Sequence, residues 1–446
     1  MLWLSAITVV AAAGCASGPL SRLAPAPSPY EQYASTLTEA GLGATALGRD
    51  WAEAGRTALE RPVAVPSPFR ETGYFPAERP TAAAFRLELR RGRRLELTIA
   101  LQGEPAGRLF VDVFETRDDG AVERVAWLPA DATTLAYDVE RDATFIIRVQ
   151  PELLRGGRFT IEHRTLASLG FPVSGLDAGA VQSEFGAARE AGRRAHEGID
   201  IFAPRGTPVV AVAAGVARAS TNGLGGNVVW LQDARQRRTV YYAHLDRWAF
   251  DGTRRVQPGE VLGYVGNTGN ARTTPPHLHF GIYDDGAIDP LPFLAADEPQ
   301  PAPVRASLEP LGQRVRVAQP RVTLRTGLDA RADGARALPL AALADVVGVS
   351  RNMYRVHLPD GEQGYVTASA VSRADTAWRR ERVGAGVTLQ ARPSPTAPVI
   401  DVLEGPTAVD VLGVFDTYRL VRAPDGLQGW IAGSGGSTPM RGTPRQ

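Results

Sequence analysis

Apolar positions recur along this chain in two periods. Between Tyr30 and about Glu60 the spacing is helical: Leu47, Trp51, Ala54 and Ala58 fall on one face. Gly41 and Gly43 split this stretch into two helices, read as a scaffold or spacer pair. From residue 61 to 166 the period drops to two. Phe85, Leu87 and Leu89 alternate with polar residues, and Leu95, Leu97, Ile99 and Leu101 do the same. Arg90-Arg91-Gly92-Arg93-Arg94 lies between these runs and reads as a charged, solvated hairpin turn, with contact to anionic glycan or lipid as the other reading. Further strands are expected at 109–114, 135–139, 145–149 and 159–162. Short alternating strands of this kind predict a β-sandwich or jelly roll.

The alternation continues through 167–295. Strands are expected at 209–212, 228–231, 240–242, 261–265 and 277–283, with Gly-rich turns at 223–226 and 266–269. This predicts a compact antiparallel β unit with an open groove. Pro299, Pro301 and Pro303 mark 296–312 as a linker. Beyond it the chain repeats itself. Val322-Thr323-Leu324 returns as Val387-Thr388-Leu389. Asp345-Val346-Val347-Gly348-Val349 returns as Asp410-Val411-Leu412-Gly413-Val414. Gln363-Gly364-Tyr365-Val366 returns as Gln428-Gly429-Trp430-Ile431. The period of about 65 residues suits two small domains, 313–375 and 381–434, better than a solenoid. The tail, 435–446, is Gly, Ser, Thr and Pro in character and is expected to be disordered. The fold class is therefore mainly β and multidomain: N-terminal helices, a β-sandwich, an antiparallel core and two small barrels.

Composition narrows the function. The 446 residues allow three or more domains, and 44% apolar with 22% charged residues is ordinary for globular proteins. A net charge of +1 gives no global field toward nucleic acid or an anionic membrane. Every basic residue is Arg, which reads as coding bias. The single cysteine, Cys15, excludes an intrachain disulfide. It follows an apolar run from Leu2 to Ala13 and the small residues Ala12-Ala13-Gly14. Such a run has signal-peptide length and is too short to span a bilayer, though the first residues lack a positive charge. Pro25, Pro27 and Pro29 mark the segment after Cys15, 15–29, as an extended tether.

The chemistry lies in the histidines. The chain has six, and four fall between His196 and Phe280. His163 and His357 stand alone in strand-like segments and read as structural. His196-Glu197-Gly198-Ile199-Asp200 opens the window, Tyr241-Tyr242-Ala243-His244-Leu245 lies inside it, and His277-Leu278-His279-Phe280 closes it. A catalytic zinc site takes three such ligands and keeps a fourth position for water. His277 and His279 are two apart, so on a strand they share a face. His196 and Asp200, four apart on a bend into a strand, can converge on the same ion. By parity, His244 is expected on the strand face of Val240 and Tyr242.

These motifs resemble the LytM/lysostaphin-type zinc endopeptidases, which cut cell-wall peptides. The flanks Ile201, Ala203-Pro204-Arg205-Gly206-Thr207-Pro208-Val209, Val256-Gln257-Pro258-Gly259 and Val265-Gly266-Asn267-Thr268-Gly269 agree with that family. The resemblance covers about residues 168–295. It implies one zinc ion held by His196, Asp200 and His279, with His244 and His277 flanking the water and the scissile carbonyl. One departure is Pro275-Pro276 where the family often has Gly-Pro; the stiff pair restricts this loop and bears on substrate preference. Residues 1–14 resemble a lipoprotein signal, with diacylation of Cys15 expected after cleavage. Ala16 in the next position points to the outer membrane of the cell envelope. The repeated C-terminal units resemble bacterial SH3-like modules, which commonly bind wall peptides; spacer and docking roles stand beside that. The expected partners are peptidoglycan and, through the lipid, the membrane; no nucleic acid is expected. Three functions compete: a zinc endopeptidase acting on peptidoglycan cross-links, a catalytically silent regulator that activates another wall hydrolase, and a zinc peptidase of protein substrates.

Overall fold

The computed structural model describes residues 26–102, 107–189, 192–236, 238–294, 300–328 and 336–433. Cys15, the signal segment and the tail from 435 lie outside the described residues. The fold is mainly β, with 49% strand and 11% helix.

Two helices open it, Pro29–Glu39 and Ala46–Glu60, separated near Gly41 as the glycines predict. Ser28 caps the first helix in a reciprocal box with Glu31, satisfying amides that the helix leaves unpaired. Trp51 locks both helices to the sheet beneath. Its ring stacks on Tyr30 at 4.8 Å and its indole N–H donates to the Pro151 carbonyl at 2.9 Å.

Two sheets follow. The first orders Val63–Ala64, Ala83–Leu89, Ala143–Pro151, Leu109–Thr116 and Val122–Trp127; the second contains Phe69–Phe75, Gly157–Ala167, Arg93–Gln102 and Thr134–Asp138. Phe85, Phe145 and Ile147 from one sheet meet Leu95, Leu97, Phe159 and Ile161 from the other in a single buried core. This corrects the reading of Arg90–Arg94 as a hairpin. The strands on either side lie in different sheets, so the turn carries the chain from one layer to the next. It is not a freely solvated turn either. Arg91 pairs with Asp284 at 2.5 Å, and a Cβ on Gly92, which has φ +84°, would sit 2.8 Å from Phe293. The turn is thus docked against the following unit.

That unit is one antiparallel sheet. Its path runs Val181–Ser183, Ile199–Phe202, His277–Tyr283, Thr239–Trp248, Gly226–Asp233, Gly215–Asn222 and Thr253–Val256; Pro208–Val210 and Val261–Val265 pair beside it. Strand alternation sorts its two faces. Ile199, Ile201, Val240, Tyr242, Leu278 and Phe280 are fully buried in the core. Asp200, Tyr241, Ala243, His277 and His279 line a groove on the opposite side.

In the C-terminal region Met353–His357 and Gln363–Thr367 recur as Tyr418–Arg422 and Gln428–Ala432, in step with the sequence repeat. The first of these units is fused to the sandwich. Thr72 and Gly73 pair with Val349 and Gly348, so Phe69–Phe75 and Leu343–Ser350 share one nine-stranded sheet. At this seam the buried Arg355 donates to Glu71 at 2.8 and 3.0 Å, and the Tyr365 hydroxyl donates to the same carboxylate at 2.8 Å.

Candidate functional site

The groove is about 420 Å³, and its histidines and Asp200 each have an identifiable anchor. Asp200 and His279 sit directly opposite on adjacent antiparallel strands. Cross-strand partners of this kind project to the same face. His196 arrives from the short strand Arg194–Ala195, which its own amide extends by donating to the Ala187 carbonyl. The result is a tight trio. His196 Nε2 lies 2.9 Å from His279 Nδ1 and 3.1 Å from Asp200 Oδ1, and His279 Nδ1 lies 3.0 Å from the same oxygen. These three donor atoms form the candidate metal cluster among the described residues.

Backbone carbonyls fix the ring tautomers. A carbonyl only accepts, so a ring nitrogen facing one must carry the proton. His196 Nδ1 donates to Glu184 O, His244 Nδ1 to Thr268 O and His277 Nδ1 to Pro275 O, each at 2.9 Å. The neutral form of each ring therefore leaves Nε2 as a bare lone pair. His244 and His277 stand together with ring centroids 5.0 Å apart, and His244 lies 6.0 Å from His279. Phe202, opposite His277 in the sheet, stacks on its ring at 5.0 Å.

His244 reaches this face by a route that parity did not foresee. Val240 and Tyr242 point into the core, whereas His244 lines the groove. Between the pairs Val229↔Tyr242 and Asn227↔Leu245, two residues face one. This is a β-bulge, and the extra residue is His244 itself, with φ +61°. The left-handed backbone turns its side chain to the groove and returns Leu245 to the core. The expectation of one shared strand face is thus corrected. A backbone so disfavoured for a side-chain-bearing residue marks a position held by its surroundings.

Electrostatics follow the burial. Burial alone pushes the Asp200 carboxyl up, but the close approach of the His196 and His279 rings outweighs it and holds the acid well below the usual carboxylate range. Burial, aided by the neighbouring His277, lowers His244 to about 4, so it is neutral at pH 7. Burial also lowers His279, opposed by Asp200.

All five sequence-predicted site residues thus meet at one groove. The other two histidines do not. His163 is buried beside Phe69 in the sandwich core, and His357 hydrogen-bonds Gln363 at 3.0 Å. Sequence reasoning missed the orienting carbonyls of Glu184 and Thr268, which carry no side-chain signal, and Arg189, one Arg among many. It quoted Gly198 without its reason: a Cβ there would lie 2.5 Å from the Phe280 carbonyl oxygen and 2.8 Å from the His279 ring.

Residues 194–290, which span this site, match the profile of Peptidase family M23. The chain is 37% identical over 150 residues to the L-Ala–D-Glu endopeptidase of Bacillus subtilis, covering 30% of this chain and 46% of that protein. It is 46% identical over 88 residues to the DD-carboxypeptidase/endopeptidase Mpg of Neisseria meningitidis, 20% of each chain. Among solved structures, the lysostaphin catalytic domain from Staphylococcus simulans is 31% identical, with 25% of this chain and 87% of that one covered and a TM-score of 0.23. The chain spans less than half the length of the curated relatives it matches.

Proposed function

We propose that this chain is a zinc-dependent endopeptidase that hydrolyses peptide cross-links of bacterial peptidoglycan. The observation that carries the reading is the meeting of two imidazoles and a carboxylate, with two further imidazoles at their open side. The donor set fits the ion. Zinc bonds to N and O are about 2.0–2.1 Å, so tetrahedral ligand atoms stand roughly 3.3 Å apart; the trio here is spaced at 2.9–3.1 Å. His196 Nε2, His279 Nδ1 and Asp200 Oδ1 would hold it. Bound zinc supplies a Lewis acid and a water of pKa about 7.

The remaining work belongs to side chains. His244 and His277 take and return protons at Nε2, the nitrogen their carbonyl partners leave bare. Ring orientation is fixed before substrate arrives, so it costs nothing at the moment of reaction. The names of the relatives support the substrate class: an L-Ala–D-Glu endopeptidase, a glycyl-glycine endopeptidase and a peptidoglycan DD-endopeptidase. Diacylated Cys15 would tether the protein to the outer membrane, and the C-terminal SH3-like modules would hold the wall.

Zymography on purified peptidoglycan tests this reading. Clearing by zinc-loaded protein, its loss with chelator and its return with zinc are expected. Absence of clearing by a metal-loaded protein overturns it in favour of the regulatory reading, and cleavage of folded protein instead favours the protein-substrate reading.

A further inference from the structure

The trio uses only one oxygen of Asp200. The other, Oδ2, accepts from Arg189 Nη2 at 2.5 Å. The same nitrogen donates to Ser183 Oγ at 2.6 Å and lies 3.1 Å from His196 Nδ1, which Glu184 O already engages. Ser183 is the cross-strand neighbour of Asp200. The guanidinium therefore spans two strands and holds the Asp200 end of the trio. Its own position is fixed by backbone. Ala188 and Arg189 pair with Ala195 and Arg194, and the Gly186 amide donates to the His196 carbonyl at 2.8 Å.

We propose that Arg189 is a positioning residue for the metal: it occupies Oδ2 and so commits Asp200 to bind through Oδ1 alone. This rests on the zinc reading above. The physical reason is orientation. A carboxylate free to rotate presents either oxygen or both, and ordering it on binding weakens the site. A charge-assisted hydrogen bond to one oxygen removes that freedom beforehand. Hydrogen bonds to the far atom of a ligand typically change metal affinity or activity by 10–100-fold. Arg189 is about one-third exposed and lines the groove, so contact with a substrate carboxylate is the competing role.

The experiment measures zinc affinity by competition with a chromophoric chelator, for wild type, Arg189→Ala and Arg189→Lys, alongside kcat and KM on a soluble muropeptide. Circular dichroism and melting confirm the fold. Positioning predicts a loss of zinc affinity of about 10–100-fold in Arg189→Ala, partial recovery in Arg189→Lys, and, at saturating zinc, a fall in kcat with KM little changed. Zinc affinity within twofold of wild type in a folded Arg189→Ala overturns the proposal, as does a rise in KM alone, which assigns Arg189 to substrate. Wild type that binds no zinc fails the parent reading; wild type that binds it as tightly as Arg189→Ala does fails only this one.

Discussion

His244 and His279 line the same groove, yet their substitutions should separate two functions. His279→Ala removes a donor of the trio and is expected to abolish zinc binding. His244→Ala touches none of the three donor atoms. It is expected to retain zinc, measured by atomic absorption, while turnover falls at least about 100-fold, the usual contribution of a proton-transfer group. Equal zinc loss in both variants would refute this division. A second residue-scale effect lies far from the groove. His163 is buried with neither ring nitrogen partnered, and burial holds its pKa near 3 against 6.5 unfolded. The unfolded chain therefore takes up a proton below about pH 6.5 that the folded chain refuses. Stability is full above that pH and falls toward pH 3 by up to about 1.4 kcal/mol per unit. Urea melts between pH 7 and 4 should show this slope, and His163→Leu should flatten it. The residues of the trio were legible in the sequence because histidine is scarce here and each motif is local. The partners that fix tautomers were not, because a carbonyl belongs to every residue and only the fold says which one faces a ring.

At the scale of strands, period-two alternation located most of the sheet and put His277 and His279 on one face, where both line the groove. It failed at His244 because alternation assumes one residue for one, and the bulge supplies two. It failed at Arg90–Arg94 because a polar turn between two strands looks alike whether it joins neighbours or crosses between layers. Two glycines make this scale testable. A Cβ on Gly198 would push on His279, so Gly198→Ala is expected to lower zinc content. Gly226 has φ +67°, and a Cβ there would lie 2.3 Å from Thr268 Oγ1. Gly226→Ala should therefore disturb the loop whose carbonyl aims His244, cutting kcat about tenfold or more while zinc stays bound. Metal content and kcat, measured together, distinguish these outcomes.

Across the whole molecule, the helical pair, the sandwich strands and the tandem units were readable from periodicity and repetition. The seam between Phe69–Phe75 and Leu343–Ser350 was not, because strand pairing between distant segments leaves no periodic trace in either. Glu71 and Arg355 are fully desolvated at that seam, so removing one partner leaves a buried charge alone. Glu71→Ala is expected to cost about 3–5 kcal/mol in denaturant unfolding, with per-molecule peptidase rates unchanged in the folded fraction.

The same seam has a mechanical meaning. A wall-gripping unit on a slack leash lets its enzyme sweep a volume set by leash length. Here hydrogen-bonded strands and a sequestered ion pair lock the first C-terminal unit to the scaffold that also carries the groove through Arg91 and Gly92. Were that unit to hold the wall and the groove to cut it, as proposed, grip and bite would act like the jaws of a caliper, meeting the polymer at a set span.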